Sequence, residues 1–211
     1  MGIGKIFIIS APSGAGKSTL VDAVIQKVGL HRSLSRAITY TTRNSRSDEK
    51  DGYDFHYLTV SAFKERIKNG FFLEWSNAHI NYYGTSRSLL DDIAQGKSYL
   101  LIVDRVGAEQ IRAQTEQAVL IWITVRDITT LKKRLIHRGT ENPVQINRRL
   151  KRAQEELALE EQRPIYDYHI MNDNFDQASA YFEQIIAHEL DEKEPLNEVC
   201  FSHTIWGISK K

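Results

Sequence analysis

Cysteine is nearly missing from the sequence: Cys200 is the single thiol among 211 residues. That excludes an intramolecular disulfide framework and any multi-cysteine metal site, and it fits a reducing compartment. Long apolar runs are missing too. No segment reaches the ~18 apolar residues of a membrane span, and the first residues lead into a charged, strand-like segment instead of a signal peptide. The expectation is a soluble cytoplasmic protein with no membrane partner. Neither charge dominates, since 28 Lys and Arg against 27 Asp and Glu leave a formal net charge of +1. Nothing here calls for nucleic acid as a partner, and any anion site has to be local. Internal repeats and low-complexity stretches are also lacking. What remains, at 41% hydrophobic and 26% charged residues, is ordinary globular composition, enough for one domain with subdomains.

Directly after the apolar stretch at residues 5–10 (KIFIIS), residues 11–19 read APSGAGKST. This is a strand-loop-helix signature for gripping the phosphates of a nucleoside triphosphate. Gly14 and Gly16 permit the tight path on which consecutive N–H groups face inward, making an anion nest at a helix N-terminus. Ser13, Gly14, Ala15, Gly16, Lys17, Ser18 and Thr19 are the candidate nucleotide contacts. Lys17 reaches for the β- and γ-phosphates and Ser18 for Mg²⁺. Ala11 stands where the pattern G-x-x-x-x-G-K-[ST] begins with glycine, so the first turn is made by a residue with a Cβ. Read without its context, the same stretch is a glycine-rich turn joining strand to helix.

From Lys17 to Val28, apolar residues recur at helical spacing (Leu20, Val21, Val24, Ile25, Val28) and predict a helix with one face on a sheet. Residues 99–103 (YLLIV) and 119–123 (VLIWI) read as strands buried on both faces, each followed by a polar helical stretch. Residues 166–171 form a weaker strand pattern and 176–190 a closing helix. Such alternation implies an open parallel sheet wrapped by helices, with ligands at the carboxyl ends of the strands. Two stretches break the alternation. Residues 39–95 are rich in Arg, Tyr, Asn and Gly, with strand-like pieces at 54–58 and 71–77. Residues 127–158 are charged and helical. No function is assigned to the tail at 191–211.

Beyond the phosphate loop come residues 39–46 (TYTTRNSR), 49–52 (EKDG), 72–75 (FLEW), 81–86 (NYYGTS) and 134–139 (RLIHRG), in that order. Together they resemble guanylate kinase over roughly residues 5–190. The resemblance implies a P-loop nucleoside monophosphate kinase fold of the α/β class: a core of residues 1–38, 96–126 and 159–190, a GMP-binding subdomain at 39–95 and a lid at 127–158. It further implies ATP-dependent phosphorylation of GMP to GDP, and of dGMP likewise to its own diphosphate, with Mg²⁺, in purine nucleotide metabolism. Arg43 and Arg46 supply the second anion site such a reaction needs, since guanidinium groups match phosphate oxygens with bidentate geometry. Glu74, in an apolar-aromatic context, is either a satisfied buried acid or the acceptor for the guanine N1–H and N2–H₂ edge, and the resemblance favours the second. Thr39, Tyr83, Gly84 and Thr85 match positions that contact the monophosphate nucleotide. Asp104 ends a buried strand, where an acid holds Mg²⁺ near Ser18 or caps the following helix. Arg134, Arg138 and Arg149 match arginines directed at the transferring phosphoryl group and ATP. Asn172, with Asp173, resembles a pair near the adenine. Trp75, Trp122 and His79 are read as packing residues.

The departures from the family pattern cluster in the acceptor site. Ser45 replaces a proline, Asp48 a glycine, and Phe55 a tyrosine whose hydroxyl meets the GMP phosphate. Tyr53 and Tyr57, two residues to either side, substitute only if the backbone shifts. Ile102 replaces an acid that reads guanine, which leaves Glu74 as the sole acidic reader, and Val106 replaces a glutamine. Two alternatives stay open: a divergent kinase of the same fold acting on another phosphorylated acceptor, and a weakly catalytic guanylate-kinase-like binding module. Oligomeric state is not legible in the sequence.

Overall fold

Every residue of β1 (Ile6–Ser10) is buried, as a continuous apolar run in a strand covered on both faces requires. The computed structural model describes residues 2–28, 34–47, 49–78, 80–139 and 142–190, with the backbone alone for Ala78 and Arg138. Asp48, His79 and the tail at 191–211 lie outside the described residues. The chain forms two compact units, residues 1–8 with 29–119 and residues 9–28 with 120–211. A five-stranded sheet runs in the order β2 (Leu34–Arg36), β7 (Ser98–Ile102), β1, β8 (Ala118–Thr124), β9 (Tyr168–Met171). The β2–β7 and β8–β9 pairs are parallel, with Leu34 opposite Ser98 and Ile121 opposite Tyr168.

The first unit also holds a four-stranded sheet in the order β4 (Phe55–Tyr57), β3 (Thr39–Thr41), β6 (Asn81–Ser86), β5 (Phe72–Ala78). It lies wholly within the stretch that breaks the alternation in the sequence. Helices α2 (Val60–Lys68), α3 (Leu89–Ala94) and α4 (Arg105–Arg112) belong to the same unit. Because side chains alternate along a strand, register decides what each face carries. Thr39 lies opposite Phe55 and Thr41 opposite Tyr57 in the parallel β3–β4 pair. Thr41 is also opposite Tyr83 in the antiparallel β3–β6 pair, and Glu74 is opposite Thr85 across β5–β6. One face is therefore aromatic: Phe63 of α2 stacks on Phe72 at 4.4 Å and on Tyr82 at 5.4 Å, and Tyr40 stacks on His56 at 4.5 Å. The other face carries Thr39, Phe55, Tyr57, Glu74, Tyr83 and Thr85.

A β-bulge between Phe72 and Glu74 makes this division possible. Strict alternation would send both side chains to the same face. The extra residue sends Phe72 to the aromatic face and Glu74 to the polar one. Gly84 sits under the aromatic packing, where an added Cβ would lie 2.9 Å from a Phe72 ring carbon and 3.1 Å from Phe63.

In the second unit, α1 (Lys17–Val28) buries Leu20, Val21, Val24 and Val28, and α7 (Phe175–Glu189) buries Phe182, Ile185 and Ile186. The charged stretch expected to be helical is two helices, α5 (Ile128–Arg138) and α6 (Pro143–Gln162). Asp127 caps α5 by accepting from the Thr130 N–H, and Gly139 ends it in the left-handed conformation. Asn142 and Gln145 form a reciprocal capping box at the start of α6. Of the residues read as packing, Trp122 is buried against Tyr166 with ring centroids 5.0 Å apart. Trp75 departs from that reading: on an edge strand it remains 38% exposed.

Candidate functional site

The loop between β1 and α1 takes its shape from two left-handed glycines, Gly14 at φ 94° and Gly16 at φ 85°. Ile80 is the one non-glycine with positive φ among the described residues, so Ala11 occupies backbone that alanine adopts freely. The Leu20 N–H donates to the Gly16 carbonyl at 3.1 Å, so the preceding amides belong to the open first turn of α1, with Ser18 and Thr19 exposed there. The loop is held from behind by the buried Asn172, which is 4% exposed. Its Nδ2 donates to the Ala15 carbonyl at 2.7 Å, and a Cβ on Gly16 would lie 2.6 Å from the same nitrogen. Arg134 of α5 donates through Nη2 to the Asn172 carbonyl at 2.7 Å and through Nη1 to the Ala15 carbonyl at 3.4 Å. Asn172, expected at the adenine, thus has its amide on the loop backbone, and Arg134 lies against that loop. Asp173 accepts from the Arg126 N–H at 3.1 Å. Arg149 is half-buried on α6, and the Arg138 side chain lies outside the described residues.

On the polar face of the four-stranded sheet, Glu74 is 2% exposed. The Thr85 hydroxyl donates to its Oε1 at 2.6 Å. Burial raises the Glu74 carboxyl to a pKa of about 7, with the nearby Asp104 charge adding to the rise and the Thr85 hydrogen bond opposing it. Asp104 caps α4, its Oδ1 accepting from the Gly107 N–H at 2.9 Å. A Cβ on Gly107 would meet Glu74 Oε2 at 2.7 Å, so glycine is what admits this carboxylate to the helix start. Both acids converge on Gly107. Asp104, expected either at a metal or as the cap of the following helix, makes that cap and lies close enough to Glu74 for its charge to act on it.

The phosphate-matching residues form a second cluster in the same unit. Arg43 Nη2 grips both oxygens of Glu49, at 2.8 and 2.9 Å, while Nη1 donates to the Asn44 carbonyl at 2.7 Å. The Arg46 N–H and the Tyr57 hydroxyl also donate to Glu49, at 2.9 and 2.7 Å. The Arg43 hydrogen bonds are the main reason the Glu49 carboxyl falls to a pKa of about 2. The Arg43 guanidinium lies over the Phe55 ring, 5.4 Å from its centroid, and interacts with Tyr83. Phe55 keeps the aromatic surface of the expected tyrosine and lacks its hydroxyl. Tyr57 brings a hydroxyl to the cluster by facing the same side, while Tyr53 is 76% exposed outside the strand.

The structure thus groups Arg43 and Arg46 around one carboxylate and Glu74 with Thr85, with Thr39 and Tyr83 on the same sheet face. Gly84 is buried beneath the opposite face, where its missing side chain makes room for Phe63 and Phe72. Ile102 is half-buried at the end of β7, and Val106 is 55% exposed. Sequence reasoning missed the role of Glu49, although its place three residues after Arg46 in a charged loop was a signal. It also missed Gln110 of α4 and Gln114 of the turn after it, both bonded to the backbone of β5, for which no local signal exists. Among the described residues there is no group of three or more His, Cys, Asp or Glu suited to a metal ion, and no helix long and apolar enough to cross a membrane.

Comparison with known proteins gives one family. The guanylate kinase family model matches residues 3–189. A guanylate kinase from Dechloromonas aromatica is 39% identical over 176 residues, covering 83% of this chain and 84% of its own. One from Idiomarina loihiensis is 34% identical over 204 residues, covering 96% and 95%. The crystal structure of guanylate kinase from Anaplasma phagocytophilum superposes with a TM-score of 0.72 at 26% identity, over 92% of this chain and 89% of that one. A match that runs through the phosphate loop, the bulged sheet and the helices behind them leaves a single assignment: the chain belongs to the guanylate kinase family.

Proposed function

We propose that the chain transfers the γ-phosphoryl group of ATP to GMP, and to dGMP, giving the nucleoside diphosphates, in a cytoplasmic setting. The observation that carries the acceptor assignment is the polar face of the four-stranded sheet. There a buried carboxylate stands ready to accept two N–H donors, beside a threonine that fixes its orientation. Guanine presents N1–H and N2–H₂ to such a group, whereas adenine presents a lone pair and meets repulsion. Asp104, with Oδ1 committed to the α4 cap, adds negative potential at the same edge. Residues 39–95 act as the acceptor-binding subdomain and residues 127–158 as the lid.

The GMP phosphate is ionised at neutral pH, so no general base is required; positioning and charge neutralisation carry the reaction. Arg43 and Arg46 bind the acceptor phosphate, with Glu49 and Tyr57 setting the guanidinium plane. The first-turn amides of α1 and Lys17 hold the donor phosphates, and Arg134, Arg138 and Arg149 spread positive charge over the transferring group. The exposed Ser18 hydroxyl at the start of α1 offers a hard oxygen that would hold Mg²⁺, and the ion would supply charge neutralisation at the donor phosphates. Family membership favours GMP over another phosphorylated acceptor or a non-catalytic binding role. A coupled assay of ADP production with GMP, dGMP, IMP, AMP and UMP tests the reading: turnover is expected with GMP and dGMP, weaker with IMP, and equal turnover with AMP or UMP would overturn it.

A further inference from the structure

The bulge that separates Phe72 from Glu74 lies on β5, an edge strand of the four-stranded sheet. Its outer backbone groups have no neighbouring strand, and side chains of α4 and the turn after it take that place. Gln110 Oε1 accepts from the Trp75 N–H at 3.1 Å, and Gln110 Nε2 donates to the Trp75 carbonyl at 2.9 Å. One carboxamide thereby makes both bonds that a paired strand residue would make. Gln114 Nε2 donates to the Leu73 carbonyl at 2.6 Å and to the Gln110 carbonyl at 3.0 Å. The residues on either side of Glu74 are thus tied to α4 and the turn that follows it. The start of that helix, at Gly107, receives the Glu74 carboxylate itself. Backbone and side chain of the acid are referred to the same element.

The bulge is the irregular point in the β5–β6 register, where loss of such ties makes a slip of one residue easier, and a slip of one residue exchanges the faces of the sheet. Glu74 would then leave the polar face and Phe72 would leave its stack on Phe63.

We infer that Gln110 is a positioning residue for selection of the acceptor base, acting through the Trp75 backbone to keep the Glu74 carboxylate on the polar face of the sheet. The inference rests on the reading of Glu74 as the acid that faces guanine. Gln110 touches neither nucleotide in this scheme. Its contribution is to the acceptor's KM and to base discrimination, with the donor site untouched.

The test uses the full chain with Gln110→Ala and Gln110→Met, the second keeping side-chain length without the two hydrogen bonds. KM for GMP and for ATP, kcat, the ratio of kcat/KM for GMP to that for AMP, and the thermal midpoint are measured in both. Loss of the paired bonds is expected to raise KM for GMP about tenfold and to lower the GMP-to-AMP ratio. Both variants should behave alike, with KM for ATP unchanged and the thermal midpoint lowered by only a few degrees. A Gln110→Met variant with the KM and selectivity of the unaltered protein would overturn the inference, because length alone would then suffice. So would a joint fall in kcat, ATP affinity and thermal midpoint, which would mark Gln110 as a residue of general fold integrity. Failure of the underlying reading shows itself separately, as an unaltered protein that does not prefer GMP, and it overturns the inference as well.

Discussion

The loop before α1 and the four-stranded sheet are both suited to phosphate, yet they are built from different material. In the loop, the anion-facing groups are backbone amides whose directions follow from two left-handed glycines and a helix start. In the sheet and the loop beside it, they are side chains: Arg43 interacts with the Glu49 carboxylate, the Tyr83 hydroxyl and the Phe55 ring, each from a different segment. A backbone site is specified by consecutive residues and tolerates little change. A side-chain site is specified by register, and here Phe55 and Tyr57 lie on one face with the Tyr57 hydroxyl on Glu49. The departures from the family pattern fall on the second kind of site, while the glycine-lysine-serine-threonine run of the first is kept.

The largest effect that separates the two regions is expected from Lys17→Ala. Removing the side chain proposed to reach the donor phosphates should reduce kcat by at least about 10³-fold, with little change in the thermal midpoint. A variant that retains near-normal turnover would remove Lys17 from the donor site. Next comes Glu74, through its titration. With a pKa near 7, raised by burial and by Asp104, the carboxyl is largely protonated at pH 6 and ionised at pH 8. Only the ionised form accepts both guanine donors, so KM for GMP should fall as pH rises through 7. The GMP phosphate titrates near ~6, and Glu74→Gln isolates the difference: this variant should lose the limb near 7 and about 10²-fold in preference for GMP over AMP. The sign for stability is opposite. A folded-state pKa above the ordinary 4.5 means that the folded protein holds the proton more tightly, so this group's contribution is full below 4.5 and is lost as pH rises through 7. The smallest effect is expected from Arg43→Lys, which keeps the charge and loses the planar fork on Glu49. Calorimetric titration should show GMP bound about tenfold more weakly and ATP unaffected. Equal weakening of both would mean that the cluster holds the fold and does not select a ligand.

The sequence made the elements that alternate strand and helix the more legible. Helix α1 begins and ends where its apolar spacing predicts, and β7 and β8 lie within one residue of the apolar runs that announce them. In residues 39–95, strand patterns mark β4 and β5, but β3 has only three residues and too few alternations to be seen, and α2 buries Phe63 alone. Apart from Glu74 the run at 71–75 is apolar or aromatic and shows no alternation, so the bulge that sends Glu74 and Phe72 to opposite faces is invisible until β6 fixes the register. Asp104 shows the same limit. Its place at the end of a strand was readable, whereas its nearness to Glu74 depends on Gly107, thirty-three positions further along the chain than that acid. The pairing of Asn172 with Ala15 likewise spans 157 positions and has no local trace.

That last pairing has a consequence for the chain as it is made. A nascent polypeptide exposes the phosphate-loop sequence almost at once, yet the amide that fixes the Ala15 carbonyl arrives only with Asn172, after α5 and α6 have been synthesised. Until then the loop has its glycines but no brace, and the cost of closing so long a chain segment must be met before the brace is gained. Nucleotide-binding competence is therefore a late property of biogenesis. A fragment ending before β9 would carry the motif intact and lack the geometry.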